Sequence, residues 1–264
     1  MTTDHPFLSE TDADGTAWVT LNRPDVHNAF DDALIARLTA ELHLLNDDHS
    51  VRAVVLGAAG RSFSAGADLN WMKRMAGYTH AENMEDARAL AGLMHALNHL
   101  NKPTIAMVQG AAYGGGVGLV ACCDIAIAAD RATFCLSEVK LGLIPAVISP
   151  FVVAAMGQRA ARRYFLTAER FDAAEALRLG LVHRVVDEGH LRATVDETLA
   201  TLQANGPRAM AAAKDLIFAV ADRPADDAVL EDTARRIADR RASDEGREGV
   251  GAFLEKRKPD WMVG

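Results

Sequence analysis

The chain has 264 residues, of which 50% are hydrophobic and 24% charged, a balance that supports a sizeable core and excludes a disordered chain. A formal net charge of −8 counts against a general nucleic-acid binder, which needs clustered Lys and Arg to neutralise phosphates. No apolar stretch reaches the roughly 20 residues of a membrane span, and Met1 to Glu10 lacks a basic segment followed by an apolar one. The three cysteines are the adjacent Cys122 and Cys123 and the nearby Cys135, a pattern of buried reduced thiols. They fit neither a disulfide framework nor a spaced zinc site. The expectation is a cytoplasmic protein with no membrane segment, no metal and no separate cofactor; neither a Rossmann glycine fingerprint nor a ligand spacing among the nine His residues is present.

Taken in chain order, Ala17 to Leu21, Ala53 to Leu56, Thr104 to Val108 and Ile125 to Ala128 are short apolar runs bounded by turns, and read as strands. Between them, Asp31 to Asp47 sets Leu34, Leu38, Leu42 and Leu45 at helical spacing. Met84 to Leu100 does likewise with Leu90, Leu93, Met94 and Leu97. Past about residue 158 strand signals fade and helices are predicted over Ala160 to Leu166, Ala173 to Leu179, Pro207 to Ala221, Ala225 to Arg241 and Glu245 to Lys256. Pro207 stands where a helix accepts proline, at its first position. No repeat, low-complexity tract or linker divides the chain. The pattern is α/β, a spiral or layered core followed by a helical C-terminal section. Tyr78 to Asp86, polar and between helices, is expected to be the least ordered stretch and a candidate lid.

Gly114, Gly115 and Gly116 are the segment that says most about chemistry. Three consecutive glycines cost conformational entropy, so the backbone there has a close approach to make. A tight turn is the plain alternative. Against it stands a second small-residue loop, Phe63 to Leu69, also set between a strand-like run and a helix. Two backbone N–H groups converging from two such loops can bind one oxygen.

Several motifs in one order then identify a resemblance. These are Leu21-Asn22-Arg23-Pro24 with Asn28-Ala29, Ala65-Gly66-Ala67-Asp68, Lys102 to Ala106 leading to Gly110, the triple glycine, Cys123-Asp124-Ile125, Glu138 to Gly142, and Phe253 to Arg257. Together they resemble the crotonase superfamily, the enoyl-CoA hydratase/isomerase family. That resemblance implies a core of spiral ββα turns over residues 1–200 and a C-terminal helical region over 201–264 used for trimerisation. It implies an acyl-CoA thioester substrate, with coenzyme A belonging to the substrate, and a homotrimer or a dimer of trimers. By the same resemblance the oxyanion donors are the N–H groups of Ala67 and Gly115, and the dipole of the helix that follows adds to their field. Any side chain at the glycines would take the thioester's place. The coenzyme arm would run past Val26, Ala65, Asp68, Leu69, Gly114 and Gly142, with Phe253 near it and Arg23 and Lys256 close to its phosphates.

The chain departs from the hydratases of the family at one position. They carry a glutamate two residues after the triple glycine and a second about 20 residues later; here Gly118 stands at the first and Glu138 at the second. Asp124, six residues on, would be about 9 Å along the helix and about 240° around it, so it cannot substitute. Glu82, Glu85 and Asp86 are distant alternatives, each readily explained as a solvated charge. Glu138 is therefore the candidate catalytic residue. One carboxylate suffices to carry a proton from C2 to C4 of an enoyl thioester, whereas adding water ordinarily employs two groups. Hydratase is the preferred reading, Δ3-Δ2 enoyl-CoA isomerase the nearest rival, and a non-catalytic acyl-CoA- or RNA-binding relative the reading from another class. Ala146-Val147-Ile148-Ser149-Pro150-Phe151, where many members have a glycine-rich run, resembles the bacterial hydratases of leucine and acyclic-terpene breakdown. They take branched carboxylated substrates of the methylglutaconyl and isohexenylglutaconyl type.

Overall fold

A computed structural model describes residues 5–262; residues 1–4 of the Met1 to Glu10 segment lie outside them. In chain order come β1 (Phe7–Thr11), β2 (Thr16–Leu21), α1 (Asp32–Asp47), β3 (Ala53–Ala58), β4 (Ser62–Ser64), α2 (Leu69–Met75) and α3 (His80–Asn98). There follow β5 (Thr104–Val108), β6 (Ala111–Tyr113), α4 (Gly115–Cys122), β7 (Ile125–Ala129), β8 (Thr133–Cys135) and α5 (Ser149–Thr167). The rest is β9 (Arg170–Asp172), α6 (Ala173–Leu179), β10 (Arg184–Val186), α7 (Leu191–Gln203), α8 (Pro207–Val220), α9 (Asp227–Ala242) and α10 (Asp244–Glu255).

From β3 to β8 successive strands go to alternate sheets. The six-stranded sheet has the order β1-β2-β3-β5-β7-β10, parallel except for the β1–β2 pair. The four-stranded sheet has the order β4-β6-β8-β9, its first three strands parallel. Each turn of the chain thus lays one strand in each sheet before a helix returns it, a crotonase-like spiral. The central strands read as continuous apolar runs because both faces of the large sheet are covered. Val54, Leu56, Ala106, Val108, Ala126 and Ala128 face α1, α3 and α4. Their alternates Ala53, Val55, Ile105, Ile127 and Ala129 face α7 through Leu191, Val195 and Leu199.

Two expectations are corrected. Residues 80–86 are the opening turns of α3, and the segment is no disordered lid. Thr79 caps the helix by accepting from Glu82 N while Glu82 accepts from Thr79 N at 2.7 Å, a capping box readable as T-x-x-E. The helix predicted from Ala160 begins at Ser149, and the C-terminal half also holds two three-residue strands, β9 and β10, and a further helix, α7. Among the described residues no helix is long and apolar enough to cross a membrane.

Candidate active site

The parallel small sheet determines where the candidate groups sit. Ala67 follows β4, Gly115 follows β6 and Glu138 follows β8, and these strands are adjacent in that order. All three groups therefore gather at one edge, beyond the carboxyl ends of neighbouring strands. The two loops touch. A Cβ built on Gly66 would lie 2.8 Å from Tyr113 O and 3.6 Å from Gly115 N. Among the described residues no protein acceptor takes the Ala67 or Gly115 N–H. Gly115 is also the first residue of α4, so the positive end of that helix points the same way.

Glu138 opens a 3-10 turn over Glu138–Leu141 that Gly142 closes in the left-handed conformation (φ 71°). Its carboxyl comes within 3.1 Å of the position a Cβ on Gly114 would occupy, and its Oε2 is buried with no hydrogen-bond partner. Burial pushes this carboxyl above its usual value, opposed only by a weaker contact with its own backbone N–H. A buried carboxyl with raised proton affinity, lying against Gly114 next to the Gly115 N–H, is equipped to take a proton and give it back.

The glycines serve the protein's own packing more than the sequence suggests. Gly114 has φ 51° and ψ −122°, a region only glycine occupies readily. A Cβ on Gly115, however, would meet Phe30 Cζ at 2.3 Å, and one on Gly116 would meet Ser64 O at 2.6 Å. The space beside Gly115 is filled by a buried ring, so the expectation that a side chain there would displace the thioester is replaced by a packing reason. Of the three, only Gly114 turns its missing side chain toward Glu138.

Sequence reading missed the scaffold behind the donors. Asn28, fully buried at φ 53°, donates through Nδ2 to Ala59 O and Ser62 O (both 2.8 Å), and its Oδ1 accepts from Arg23 N. Phe30 N donates to Gly66 O and Asp68 N to Phe30 O, a parallel bridge that fixes the peptide carrying the Ala67 N–H. Arg23 belongs to the same frame: it donates to Ala29 O at 2.6 Å and pairs with Asp31 (3.2 Å) and Asp68 (3.0 Å). Asp68 in turn caps α2, accepting from Asn70 N and Trp71 N. The signal was the Asn22-Arg23-Pro24 and Asn28-Ala29 motif, in which only Arg23 had been given a role, near the coenzyme phosphates.

The remaining candidates divide by location. Val26 and Leu69 are exposed (42% and 73%), and so is Ala65, whose N–H donates to His27 O and which lines a cavity with His27, Tyr113 and Arg131 that includes neither Val26 nor Leu69. Phe253 and Lys256 lie on and just after α10, whose main packing partners are α9 and α8, and Phe253 is 81% exposed. The single chain does not gather them with Glu138. Asp124 accepts from Thr104 N, Thr104 Oγ1 and Lys214 Nζ, tying α8 to the end of α4. Asp86 accepts from Trp71 Nε1, and Glu85 is exposed.

Comparison with known proteins agrees with this geometry. The sequence profile described as enoyl-CoA hydratase/isomerase matches residues 11–263. The 2,3-dehydroadipyl-CoA hydratase of Escherichia coli is 33% identical over 244 residues, 92% of this chain and 93% of that one. An enoyl-CoA hydratase structure from Shewanella pealeana superposes with a TM-score of 0.95 at 49% identity, covering 97% of this chain and 96% of that one. AtuE of Pseudomonas aeruginosa superposes with a TM-score of 0.93 at 41% identity, covering 98% of this chain and all of that one. With its spiral of alternating strands, its two glycine-lined loops and residues 11–263 matched, the chain belongs to the enoyl-CoA hydratase/isomerase family of the crotonase superfamily.

Proposed function

We propose that the protein is an enoyl-CoA hydratase-like lyase in which Glu138 is the acid–base residue and the Ala67 and Gly115 N–H groups hold the thioester oxygen. The observation that carries this is the buried, unpartnered Glu138 carboxyl beside two backbone donors at the ends of adjacent strands. Glu138 takes a proton from water as its oxygen bonds to C3, and negative charge moves through C2 to the carbonyl oxygen. Fixed donors stabilise that charge by roughly 10²–10³ in rate each. The proton then passes to C2, giving the 3-hydroxyacyl thioester and restoring the carboxylate. Coenzyme A enters as part of the substrate, its arm running past the exposed Val26, Ala65 and Leu69.

The acyl group we favour is branched and carboxylated. A relative named for 2,3-dehydroadipyl-CoA, an unbranched enoyl thioester with a free carboxylate, supports the carboxylate and not the branch. So does the single protein carboxyl, because a substrate carboxylate can hold the water that a second glutamate would otherwise hold. One specific observation favours a second reading, Δ3-Δ2 isomerisation: at Gly118 no acidic side chain faces the site. Association into a trimer or hexamer is supported by the exposed Ile217, Phe218, Leu230, Ile237, Phe253 and Leu254 on α8 to α10, and a cytoplasmic home by three free, buried cysteines.

The test is Glu138→Gln, nearly isosteric and unable to take a proton. The variant should keep its Tm and bind a thioester, and lose roughly 10²–10⁴ in turnover of 2-enoyl and 3-enoyl substrates alike. Retention of more than about a tenth of the activity, far above that range, would remove Glu138 from the reaction.

A further inference from the structure

Gly118 lies one turn into α4, its N–H reaching back to the carbonyl of the capping Gly114 at 3.4 Å. The missing side chain of Gly114 points to the Glu138 carboxyl. That of Gly118 points to Ile148: a Cβ there would fall 2.3 Å from Ile148 Cγ2, 2.9 Å from Ile148 Cβ and 3.3 Å from Met94 Cε. Neither neighbour has room to move. Ile148 is 2% exposed and Met94 fully buried. Ile148 is branched at Cβ, hence stiff about χ1, and it stands at the cap of α5, its carbonyl accepting from Val152 N at 3.1 Å. The side chain is wedged into the notch that the glycine leaves, and α4 and α5 close on each other there.

We propose that Ile148 is a specificity-determining residue that plugs the space one helical turn from Glu138 and so sets the balance between water addition and proton transfer along the acyl chain. With the plug in place, that side of the site offers neither a polar group nor a volume in which a water can be held. A water for C3 must be positioned from the substrate's side, which disfavours plain 2-enoyl thioesters relative to ones bearing their own polar group. Carrying a proton from C2 to C4 needs no water and is unaffected. The plug also keeps solvent from the carboxyl, whose raised proton affinity comes from burial; Cys135, on the preceding strand, is the neighbouring titratable group. The inference rests on the reading of Glu138 as the acid–base residue.

Two measurements test it. In a double-mutant cycle of Gly118→Ala and Ile148→Gly followed by thermal unfolding, each single change should lower Tm, and the pair should lower it by clearly less than the two falls added. Additive falls would overturn the interlock. In the second, hydration of crotonyl-CoA and isomerisation of a straight 3-enoyl-CoA are compared in the native protein and in Ile148→Ala. We expect the ratio of hydration to isomerisation to rise at least about fivefold, and the acid limb of kcat/KM to move to lower pH as water reaches Glu138. A well-folded Ile148→Ala with an unchanged ratio and an unmoved limb would overturn the assignment while leaving the role of Glu138 intact. Absence of both reactions in the native protein would instead sink the reading of Glu138 and this inference with it.

Discussion

Arg23→Met separates two roles for a cation that stands near a candidate coenzyme path. In the fold its guanidinium is occupied, donating to Ala29 O and pairing with Asp31 and Asp68, and its side chain is only 23% exposed. Methionine keeps the apolar stem and removes the charge. Asp68, whose side chain is 8% exposed, would keep its two N–H donors from α2 and lose its counter-ion. A hydrogen bond to a charged group contributes about 1.5–3 kcal/mol, and partial exposure of Arg23 trims the net cost to about 1–3 kcal/mol. For a chain of this size that is a fall in Tm on the order of 2–12 °C. The peptide carrying the Ala67 N–H would lose part of its support at the same time. The assay is therefore thermal unfolding together with kcat/KM for crotonyl-CoA and for a crotonyl pantetheine thioester without phosphates. A clamp predicts a lower Tm and an equal loss on both substrates. An unchanged Tm with a KM raised only for the CoA thioester would refute the reasoning and make Arg23 a phosphate ligand.

The remaining predictions concern Glu138, Gly115 and Glu82. In the proposed mechanism Glu138 acts as a carboxylate, and because burial raises its pKa, falling pH protonates it earlier than an ordinary glutamate. The acid limb of kcat/KM should therefore lie above pH 4.5, the ordinary value, and a limb at or below it would count against a buried base. Gly115→Ala should cost stability and activity together because its Cβ meets Phe30, and Phe30→Leu added to it should recover part of the Tm. If Phe30→Leu recovers none, the ring is not the obstacle. Glu82→Ala should lower Tm slightly through loss of the capping box and leave kcat/KM unchanged; a large kinetic effect would revive the idea of an acid acting from that segment.

What the sequence disclosed follows from how each element is buried. β2, β3, β5 and β7 are covered on both sides and wrote continuous apolar runs, so they were found close to their true limits. β8, β9 and β10 have three residues each and span too little chain for a period to show. In α5, Gly157 at φ 75° interrupts the regular pattern, and Pro150 near its start reads as a turn. α7 did carry a signal, Leu191, Val195 and Leu199 at intervals of four, that was passed over. At the candidate site, the loop residues and Glu138 could be nominated because motifs mark them. The contacts of Phe30 with Gly115, Ile148 with Gly118 and Arg23 with Asp68 span many residues, and no local pattern announces them.

Because Ala67, Gly115 and Glu138 each trail one of three adjacent parallel strands, the distances among them are inherited from the hydrogen-bonded lattice of the small sheet, whose neighbouring chains lie about 4.8 Å apart. Backbone, and not side-chain identity, supplies the ruler. The segments that run from one turn to the next can therefore lengthen, shorten or change composition while the spacing of the three candidate groups stays constant. A single frame of this kind can be fitted with many acyl pockets. Its vulnerable point is register: the irregular step between Ser62 and Ser64 in the β4–β6 pairing sets where the first donor falls, and deleting one residue there would displace it by a whole residue's rise, about 3.3 Å.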